Sequence, residues 1–406
     1  MRFAIIGHGV AGNTAALALS KLAPGEPIEV YSSEAHPYYP RPLLPEFLAG
    51  ELSLERLHFK PAAWHAERGV RLRLGAQVET IDPQARRLVL ADGTTTAYDR
   101  LLLATGGHAW IPPMQGADKP GVFTLRTVED ALALQAAARK ARRAIVIGCG
   151  LLGLEAARAL RVLGLETAMV EFLPRLLPRQ LDAEGAAVLQ RLLAGPGVQF
   201  FFSATSEEVL GSDAATGLRL KDGREIAGDL VLISAGMRCN VELARQAGLE
   251  VSRGVVVDEH MRTSAPDVYA AGDVAEFAGW VYGIVPAAIE QARVAAANMV
   301  GDGSVTYSGT VPSTRLKVRG IDLTSVGAII PDPDWQEEIR ELRRTDLVQG
   351  VYRKVVLRDG RVVGAILLGD RARVGPMTKL IEQEADVSEH AERLLDDDFD
   401  IAALLA

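Results

Sequence analysis

Two sets of three glycines have the spacing that binds a phosphate group. Residues 7–12 read Gly-His-Gly-Val-Ala-Gly, and residues 148–153 read Gly-Cys-Gly-Leu-Leu-Gly. In a GxGxxG loop between a strand and a helix, the first glycine makes a tight turn and the second lets the backbone approach a pyrophosphate. The third glycine lets helix and strand pack closely, and the positive end of the helix faces the phosphate. Two copies predict that the chain holds two dinucleotides.

An acidic residue follows each glycine loop, where a carboxylate can accept hydrogen bonds from a ribose. These residues are Glu34 and Glu171, each near the end of the next apolar run. Such a carboxylate also repels the 2′-phosphate that distinguishes NADPH from NADH. No arginine adjoins Glu171, although Arg175 lies four residues on. We therefore expect the second loop to prefer NADH over NADPH.

The bulk composition limits the kind of protein. A chain of 406 residues predicts two or three domains, and a net charge of −8 without a basic run argues against a nucleic-acid partner. No apolar stretch approaches the roughly 20 residues that span a bilayer, and no signal peptide precedes the first strand. We therefore expect a cytoplasmic protein without a membrane partner. Two cysteines, Cys149 and Cys239, are too few for a disulfide framework or a cysteine-rich metal site, so no metal is expected.

The order of the motifs resembles that of the FAD-dependent pyridine-nucleotide oxidoreductases. Ala-Thr-Gly stands at 104–106, and Thr-Ser-Ala-Pro-Asp-Val-Tyr-Ala-Ala-Gly-Asp stands at 263–273. Three further stretches, at 38–44, 170–182 and 313–318, are similar to those of NADH:rubredoxin oxidoreductases. They also resemble the flavin-bearing N-terminal half of NADH-dependent nitrite reductase large subunits. The resemblance covers nearly the whole chain.

This resemblance implies an α/β fold with two Rossmann-like three-layer nucleotide-binding domains, for FAD and NAD, plus a small C-terminal α+β domain. The residues support a duplication, because Leu101–Gly107 and Leu230–Gly236 are a second pair of apolar runs that end in glycine. The expected domains are 1–115 with 237–310 for FAD, 116–236 for NAD, and an interface domain at 311–406. In the last domain, apolar runs predict strands at 315–318, 323–326, 351–357 and 362–368.

The resemblance assigns most of the loop and strand-end residues to one of the two cofactors. For FAD they are Gly7, Gly9, Ala11, Gly12, Ser33, Glu34, Arg41, Pro42, Val78, Ala104, Thr105, Gly106, Gly272, Asp273 and Lys317. For NAD they are Gly148, Gly150, Leu152, Gly153, Glu155, Glu171 and Gly236.

The chemistry of several of these residues supports a role. The Arg41 guanidinium can meet the pyrophosphate or the electron-rich edge of the flavin, and Asp273 can accept a bond from a ribityl hydroxyl. A helix expected to begin near Pro286 would point its positive end at the flavin N1 and O2 region and stabilise the reduced, anionic form. The resemblance places Lys317 near the flavin and Glu155 near the nicotinamide amide.

The absence of cysteine from positions 42–44 narrows the expected chemistry. Disulfide reductases of this superfamily carry a redox cysteine pair just after the first nucleotide unit. The NADH peroxidase and coenzyme A–disulfide reductase branch carries one reactive cysteine near these positions, which here are Pro42, Leu43 and Leu44. We therefore expect no redox-active disulfide and assign no side chain a catalytic step, since the flavin carries the chemistry.

Three functions remain open from the sequence. The leading hypothesis is an enzyme that passes electrons from NADH through FAD to a small redox protein of the rubredoxin type. An alternative is the NADH-oxidising (diaphorase) component of a nitrite reductase system whose metal centres lie on another subunit. A third is an FAD- and NADH-binding redox sensor like the apoptosis-inducing factors, which the lack of inserted basic segments argues against. Either a monomer or a homodimer is expected.

Overall fold

The computed structural model describes residues 1–58, 60–195, 197–301 and 303–405. The chain forms two compact units, each made of two separate stretches of sequence. The first unit is Met1–His108 with Met237–Thr310, and the second is Ala109–Gly236 with Val311–Ala406. The division into three domains at 115, 236 and 310 stays a prediction.

The elements alternate between strands and helices as the motifs require. In chain order the described strands are β1 (Phe3–Ile6), β2 (Ile28–Ser32), β3 (Val70–Leu74), β4 (Val78–Asp82), β5 (Arg87–Leu90), β6 (Thr95–Ala97), β7 (Arg100–Leu103), β8 (Gly107–Ala109), β9 (Val122–Phe123), β10 (Arg143–Ile147), β11 (Glu166–Val170), β12 (Val198–Phe201), β13 (Ser206–Leu210), β14 (Gly217–Leu220), β15 (Glu225–Ala227), β16 (Leu230–Ile233), β17 (Met237–Cys239), β18 (Val255–Val257), β19 (Val268–Ala270), β20 (Ala275–Phe277), β21 (Ser313–Val318), β22 (Ile321–Gly327), β23 (Ile339–Asp346), β24 (Val351–Arg358) and β25 (Arg361–Leu368). The described α-helices are α1 (Val10–Leu22), α2 (Leu44–Leu48), α3 (Leu54–Leu57), α4 (Ala62–Ala66), α5 (Val128–Ala138), α6 (Leu151–Val162), α7 (Ala183–Leu193), α8 (Glu242–Gln246), α9 (Val285–Val300) and α10 (Val374–Glu382). Short 3-10 helices lie at Arg41–Leu43, Ser388–Arg393 and Ile401–Leu405.

A five-stranded parallel sheet forms the centre of the first unit. Its strand order is β19-β7-β1-β2-β3, and Ile5 of β1 lies between Val30 of β2 and Leu102 of β7. All four residues of β1 are buried, because a parallel sheet covered on both faces takes continuous apolar strands. Helices α1 and α9 pack against each other, and β4-β5-β6 form a separate antiparallel meander.

The second unit repeats this plan within residues 109–236. A parallel sheet of order β12-β11-β10-β16-β9 is accompanied by an antiparallel meander, β13-β14-β15. The two parallel sheets differ in where one edge strand lies in the sequence. In the first unit β19 follows the other strands in sequence, whereas β9 precedes them in the second. The predicted α/β fold with two Rossmann-like parallel sheets is confirmed.

The C-terminal part of the second unit is an antiparallel sheet of order β21-β22-β25-β24-β23, contacted by α10. Four of its strands overlap the predicted strands. The fifth, β23, was not predicted, because Ile339–Asp346 carries five charged side chains among eight residues and has no apolar run. It is an edge strand, where charged side chains are tolerated and protect against unwanted pairing.

A membrane-spanning helix is not among the elements of the described ranges, since no helix there combines sufficient length with sufficient apolar character.

Candidate nucleotide-binding sites

The fold of the first glycine loop depends on Gly7 and Gly12. Gly7 has a φ of +104°, and a Cβ on it would lie 2.1 Å from the carbonyl oxygen of Ala104. A Cβ on Gly12 would lie 1.9 Å from the carbonyl oxygen of Gly7. Side chains at these two positions would therefore collide with the backbone, which leaves glycine as the residue that permits the turn and the close approach of α1 to β1.

Gly9 differs from Gly7 and Gly12, because nothing in the described protein requires it to be glycine. Its φ and ψ of −79° and −162° are extended values that any residue adopts, and a Cβ there would meet no described atom within 4 Å. Gly9 is the N-cap of α1, where no described side chain caps the helix and the first turn has no acid. A close-approaching anion at the N-terminal N–H groups accounts for these features, so the residues fit an FAD pyrophosphate.

Other predicted FAD residues converge on this loop. Gly272 has a φ of +84°, and a Cβ on it would lie 2.8 Å from the Cβ of Ala11. The N–H of Gly272 donates to Oε1 of Gln291 on α9 at 2.9 Å, and this fixes the start of Gly272–Asp273 against that helix. Helix α9 has a proline in its first two positions and no described side-chain cap, as expected for a helix whose N-terminus faces a ligand.

The segment Ala104–Gly106 follows β7 and is held by one asparagine. The Asn240 side chain donates to the Thr105 carbonyl at 2.8 Å, and the Thr105 hydroxyl donates to the Asn240 carbonyl at 2.9 Å. The Asn240 N–H donates to the Gly106 carbonyl at 2.9 Å. Because Ala104 also adjoins Gly7, Asn240 fixes the strand end that borders the glycine turn.

Glu34 and Arg41, both predicted to bind FAD, pair with each other. Arg41 Nη2 lies 2.8 Å from Glu34 Oε1, and Arg41 Nη1 donates to the Tyr39 hydroxyl at 3.2 Å. The Tyr39 hydroxyl in turn donates to the Glu34 carboxylate. The cluster fixes the direction of both charged groups. Of the remaining predicted residues, Ser33 is exposed, Pro42 is half-buried and Val78 is buried in β4.

The second glycine loop has the same geometry as the first. Gly148 has a φ of +107°, and a Cβ on it would lie 2.3 Å from the Ser234 carbonyl oxygen. A Cβ on Gly153 would lie 2.1 Å from the Gly148 carbonyl oxygen, whereas one on Gly150 would meet no described atom within 4 Å. Gly150 is the N-cap of α6, again without a described side-chain cap or a first-turn acid. This loop therefore also fits a dinucleotide pyrophosphate.

Glu171 follows β11 directly and is 9% exposed. Its carboxylate accepts the Cys149 N–H at 2.7 Å and the Leu173 N–H at 2.9 Å. The acid therefore ties the glycine turn to the loop after β11. Glu34 is not its structural equivalent: Gly7 and Gly148 donate to Tyr31 and Val170 respectively, so the counterpart of Glu171 is Ser32.

In the 171–182 loop, the arginine nearest to Glu171 in sequence, Arg175, donates hydrogen bonds to carbonyl groups of the same loop. Arg175 Nε donates to the Leu181 carbonyl at 3.2 Å, and Nη2 donates to the Pro178 carbonyl at 3.2 Å. These contacts direct the guanidinium at the loop's own backbone. Leu177 is fully buried, has a φ of +45°, and donates its N–H to the Cys149 carbonyl at 3.1 Å.

A hydrogen bond connects one residue predicted to bind NAD, Glu155, with one residue predicted to bind FAD, Lys317. Glu155 on α6 is 6% exposed, and its Oε1 accepts the N–H of Lys317 on β21 at 2.8 Å. The residue assigned to the nicotinamide and the residue assigned to the flavin are thus neighbours within the second unit. Leu152 lies half-buried in the first turn of α6, and the Gly236 carbonyl accepts the Trp110 N–H at 2.9 Å.

Both thiols are buried and free. Burial raises the pKa of the Cys149 thiol well above its ordinary value, and the Glu171 carboxylate adds to the shift. Burial also raises the pKa of the Cys239 thiol, with Asp273 and Glu276 contributing. Neither group therefore forms a thiolate readily, and thiolate is the nucleophilic form. Within the described ranges, no group of three or more histidine, cysteine or acidic residues could hold a metal ion.

His8 lies inside the first glycine loop but faces the protein. Its ring is buried near the His65 ring, at 4.9 Å between centroids, and both ring nitrogens are covered and lack a described hydrogen-bond partner. Burial lowers the pKa of His8 to about 3, with His65 and Lys60 adding to the shift. His65 itself has a partner, since its Nε2 lies 3.0 Å from Asn13 Oδ1.

Two polar residues that hold predicted FAD-binding residues in place were themselves not predicted. Asn240 holds the end of β7, and Gln291 holds Gly272. Neither belongs to a glycine motif. The available signal for Gln291 was a polar side chain on the alanine-rich face of a helix, where it is 1% exposed and so needs a partner.

Comparison with known proteins defines the class. Residues 1–299 match the pyridine nucleotide-disulphide oxidoreductase family, and residues 312–385 match the rubredoxin NAD+ reductase C-terminal domain. The chain belongs to the pyridine nucleotide-disulphide oxidoreductase family. The cofactors of this family are FAD and a pyridine nucleotide, which are the two dinucleotides that the glycine turns fit. The resemblance predicted from the motifs is confirmed.

The similar proteins differ in how much of their own length this chain covers. The chain is 37% identical to nitrite reductase [NAD(P)H] of Bacillus subtilis over 95% of its own length and 48% of that protein. It is 30% identical to the nitric oxide reductase FlRd-NAD(+) reductase of Vibrio vulnificus over 94% of this chain and 98% of the other. Among solved structures, a ferredoxin reductase from Rhodopseudomonas palustris superimposes with a TM-score of 0.90 at 28% identity and covers 100% of both chains. The chain thus spans about half the length of its nitrite reductase relative.

Proposed function

We propose that this chain oxidises NADH and passes the electrons through FAD to a small redox protein of the rubredoxin type. The observation that carries the proposal is the pair of glycine turns. In each turn the first and third glycines are required by the protein, while the second faces open space at a helix N-terminus. The similarity of residues 312–385 to a rubredoxin NAD+ reductase domain supports the acceptor class.

The first turn is assigned to FAD and the second to NADH. The predicted residue sets and the domain boundaries at 115, 236 and 310 are part of this proposal. Bound FAD supplies a carrier that accepts two electrons together and releases them one at a time. Gly9 and Gly150 let the backbone approach a pyrophosphate, and the N-termini of α1 and α6 stabilise its charge. Asp273 accepts from a ribityl hydroxyl, and Glu171 accepts from the ribose of NADH.

A preference for NADH over NADPH follows from the charges in the loop after β11. The Glu171 carboxylate would repel a 2′-phosphate. The nearest arginine, Arg175, donates to the carbonyls of Pro178 and Leu181, so its guanidinium is engaged by its own loop.

The two turns are tested by matched valine substitutions. Gly9→Val adds a side chain where the protein leaves room, so the variant should fold but lose FAD and be colourless. Gly150→Val should stay yellow and be bleached by dithionite, but not by NADH. Gly195→Val is the control, because Gly195 also faces open space but lies outside both turns. FAD content is read from the visible absorption spectrum after gel filtration.

Two outcomes would contradict the assignments. A folded Gly9→Val protein with full FAD content would mean that the first turn does not bind the flavin. Loss of colour in Gly150→Val with retention in Gly9→Val would mean that the two assignments are exchanged.

A second candidate function is the NADH-oxidising component of a nitrite-reducing system. The 37% identity to a nitrite reductase over half of its length favours it. The two functions are separated by the acceptor: anaerobic assays with purified rubredoxin, a [2Fe–2S] ferredoxin and ferricyanide should show fast rubredoxin reduction if the first proposal is correct. If ferricyanide is reduced but neither rubredoxin nor ferredoxin is, the first proposal is contradicted and the second is favoured.

A further inference from the structure

A buried ionic cluster links the nucleotide-binding part of the second unit to its C-terminal sheet. Asp182 Oδ2 accepts the hydroxyl of Tyr352 on β24 at 2.6 Å and lies 3.3 Å from Lys354 Nζ. Lys354 also pairs with Glu341 at 2.5 Å. Tyr352 is fully buried and Lys354 is 2% exposed. An ammonium group at such a depth is stable only with its partners, so these contacts are retained together.

The Asp182 carboxylate is held in its charged form by this cluster. Burial alone would raise the pKa of Asp182, but the bonds from Tyr352, the Gly185 N–H and Lys354 together lower it below its ordinary value. Its other oxygen, Oδ1, caps α7 by accepting the Gly185 N–H at 3.0 Å. Gly185 is required here, since a Cβ would lie 2.8 Å from the Tyr352 ring.

Asp182 also ends the loop that begins at Glu171 and borders the second glycine turn. The preceding residue, Leu181, accepts Arg175 through its carbonyl and donates its N–H to the Leu177 carbonyl at 2.9 Å. Leu177 in turn donates to the Cys149 carbonyl inside the glycine turn. A continuous series of contacts therefore runs from β24 through the loop to the backbone that fits the pyrophosphate.

The conformation of Leu177 shows that the loop needs support. Leucine at a φ of +45° is strained, and such residues persist where the surrounding structure fixes them. The side chain is fully buried, and both of its backbone polar groups are bonded within the second unit. Asp182 fixes the far end of the same loop.

We propose that Tyr352 and Lys354 are positioning residues for the pyridine nucleotide. By holding Asp182 they fix the 171–182 loop, so that Glu171 and the glycine turn keep the geometry that binds the ribose and pyrophosphate. The inference rests on the proposed function, in which this turn binds NADH. It gives the C-terminal sheet a role in nucleotide binding that is separate from any contact with the electron acceptor.

The test compares Lys354 with the neighbouring cation on β24, Arg353, which makes no described contact with the 171–182 loop. Lys354→Met and Tyr352→Phe should each raise the KM for NADH and the Kd for NAD+ by about 3- to 30-fold. The maximal rate with ferricyanide should change by less than about twofold, because nothing at the flavin is altered. FAD content should be unchanged. Lys354→Arg keeps a cation beside Asp182 and Glu341 and should recover most of the affinity.

Arg353→Met is the matched control. Arg353 is 12% exposed and pairs with Asp370 at 2.6 Å, but it also pairs with Asp397 of the C-terminal tail rather than with the loop. The Arg353→Met variant should have a lower melting temperature but the same Kd for NAD+ as the unmodified protein. The Kd is measured by isothermal titration of the oxidised, FAD-loaded protein.

The outcomes separate this inference from the proposed function. If Lys354→Met and Tyr352→Phe bind NAD+ as the unmodified protein does, or if Arg353→Met weakens binding equally, the positioning role is wrong and the function stands. Should Lys354→Met fail to fold, Tyr352→Phe decides, since it removes a single hydroxyl. If the unmodified protein binds no NAD+, the proposed function fails and the positioning role fails with it.

Discussion

Glu171 organises the backbone around the second glycine turn, and in the proposed function it also binds the ribose of NADH. Its two carboxylate oxygens accept N–H groups from the glycine turn and from the following loop, and this arrangement leaves lone pairs for a ribose. The sequence predicted its position at the end of a strand. The sequence could not predict that it also organises the turn, because the Cys149 and Leu173 contacts depend on the folded path of the chain.

Substitution of Glu171 should change the choice of nucleotide. Glu171→Gln keeps an oxygen acceptor but removes the charge, and Glu171→Arg reverses the charge. Each lost or repelled contact is worth roughly 1–3 kcal/mol, so the ratio of kcat/KM for NADH to that for NADPH should fall by about 5- to 150-fold.

The measurement is steady-state ferricyanide reduction with each nucleotide. Glu166→Gln is the control, because Glu166 is an exposed acid at the other end of β11 and should leave the ratio as it is. A preference for NADPH in the unmodified protein would mean that Glu171 has been assigned the wrong role.

At the scale of elements, the repeated strand, glycine turn and helix could be predicted because each follows from local spacing. The bounds of β1, β10, α6 and α9 lie close to the apolar runs and glycines that predict them. Strand β23 could not be predicted, since its charged residues acquire a strand conformation from pairing with β24 rather than from their own pattern. Likewise, Asn240 and Gln291 gain their roles from elements distant in sequence.

Three histidines of the first unit, His8, His58 and His65, should make stability depend on pH. Burial lowers the pKa values of His8, His58 and His65, with neighbouring cations or histidines adding to each shift. Below about pH 6.5 the unfolded chain binds protons that these folded residues do not, so the free energy of unfolding falls as pH falls. For His8, whose folded pKa is about 3, the slope is about 1.4 kcal/mol per pH unit over this window.

His8→Leu should remove that part of the slope, because leucine takes up no proton in either state. It should also preserve or raise stability at pH 7.5, since the two covered ring nitrogens of His8 lack described partners. Urea unfolding of the FAD-loaded protein at pH 7.5, 6.5 and 5.5 gives the slope. An unchanged slope in His8→Leu would mean that His8 is protonated in the folded protein.

At the scale of the whole molecule, we predict that turnover needs no thiol. The chain has two cysteines, and burial raises the pKa of each thiol. The variant Cys149→Ser with Cys239→Ser should keep its FAD and its NADH-dependent ferricyanide reduction. Anaerobic titration should consume one NADH per flavin, because no second electron pair is stored in a disulfide.

A requirement for two NADH per flavin would identify a thiol in the electron path. Loss of activity in the double variant with FAD still bound would indicate the same. Either result would move the chain to the disulfide-reducing part of its family.

The positions of two edge strands in the sequence determine the order in which the parallel sheets can be completed during synthesis. Strand β19 pairs with β7 but leaves the ribosome about 165 residues later (268 − 103), which at 5–20 residues per second is roughly 10 to 30 seconds. During that interval the edge of β7 is exposed on the nascent chain, while β9 has already emerged when β16 is made. The first unit therefore completes its sheet after the parallel sheet of the second, although its own sequence begins the chain.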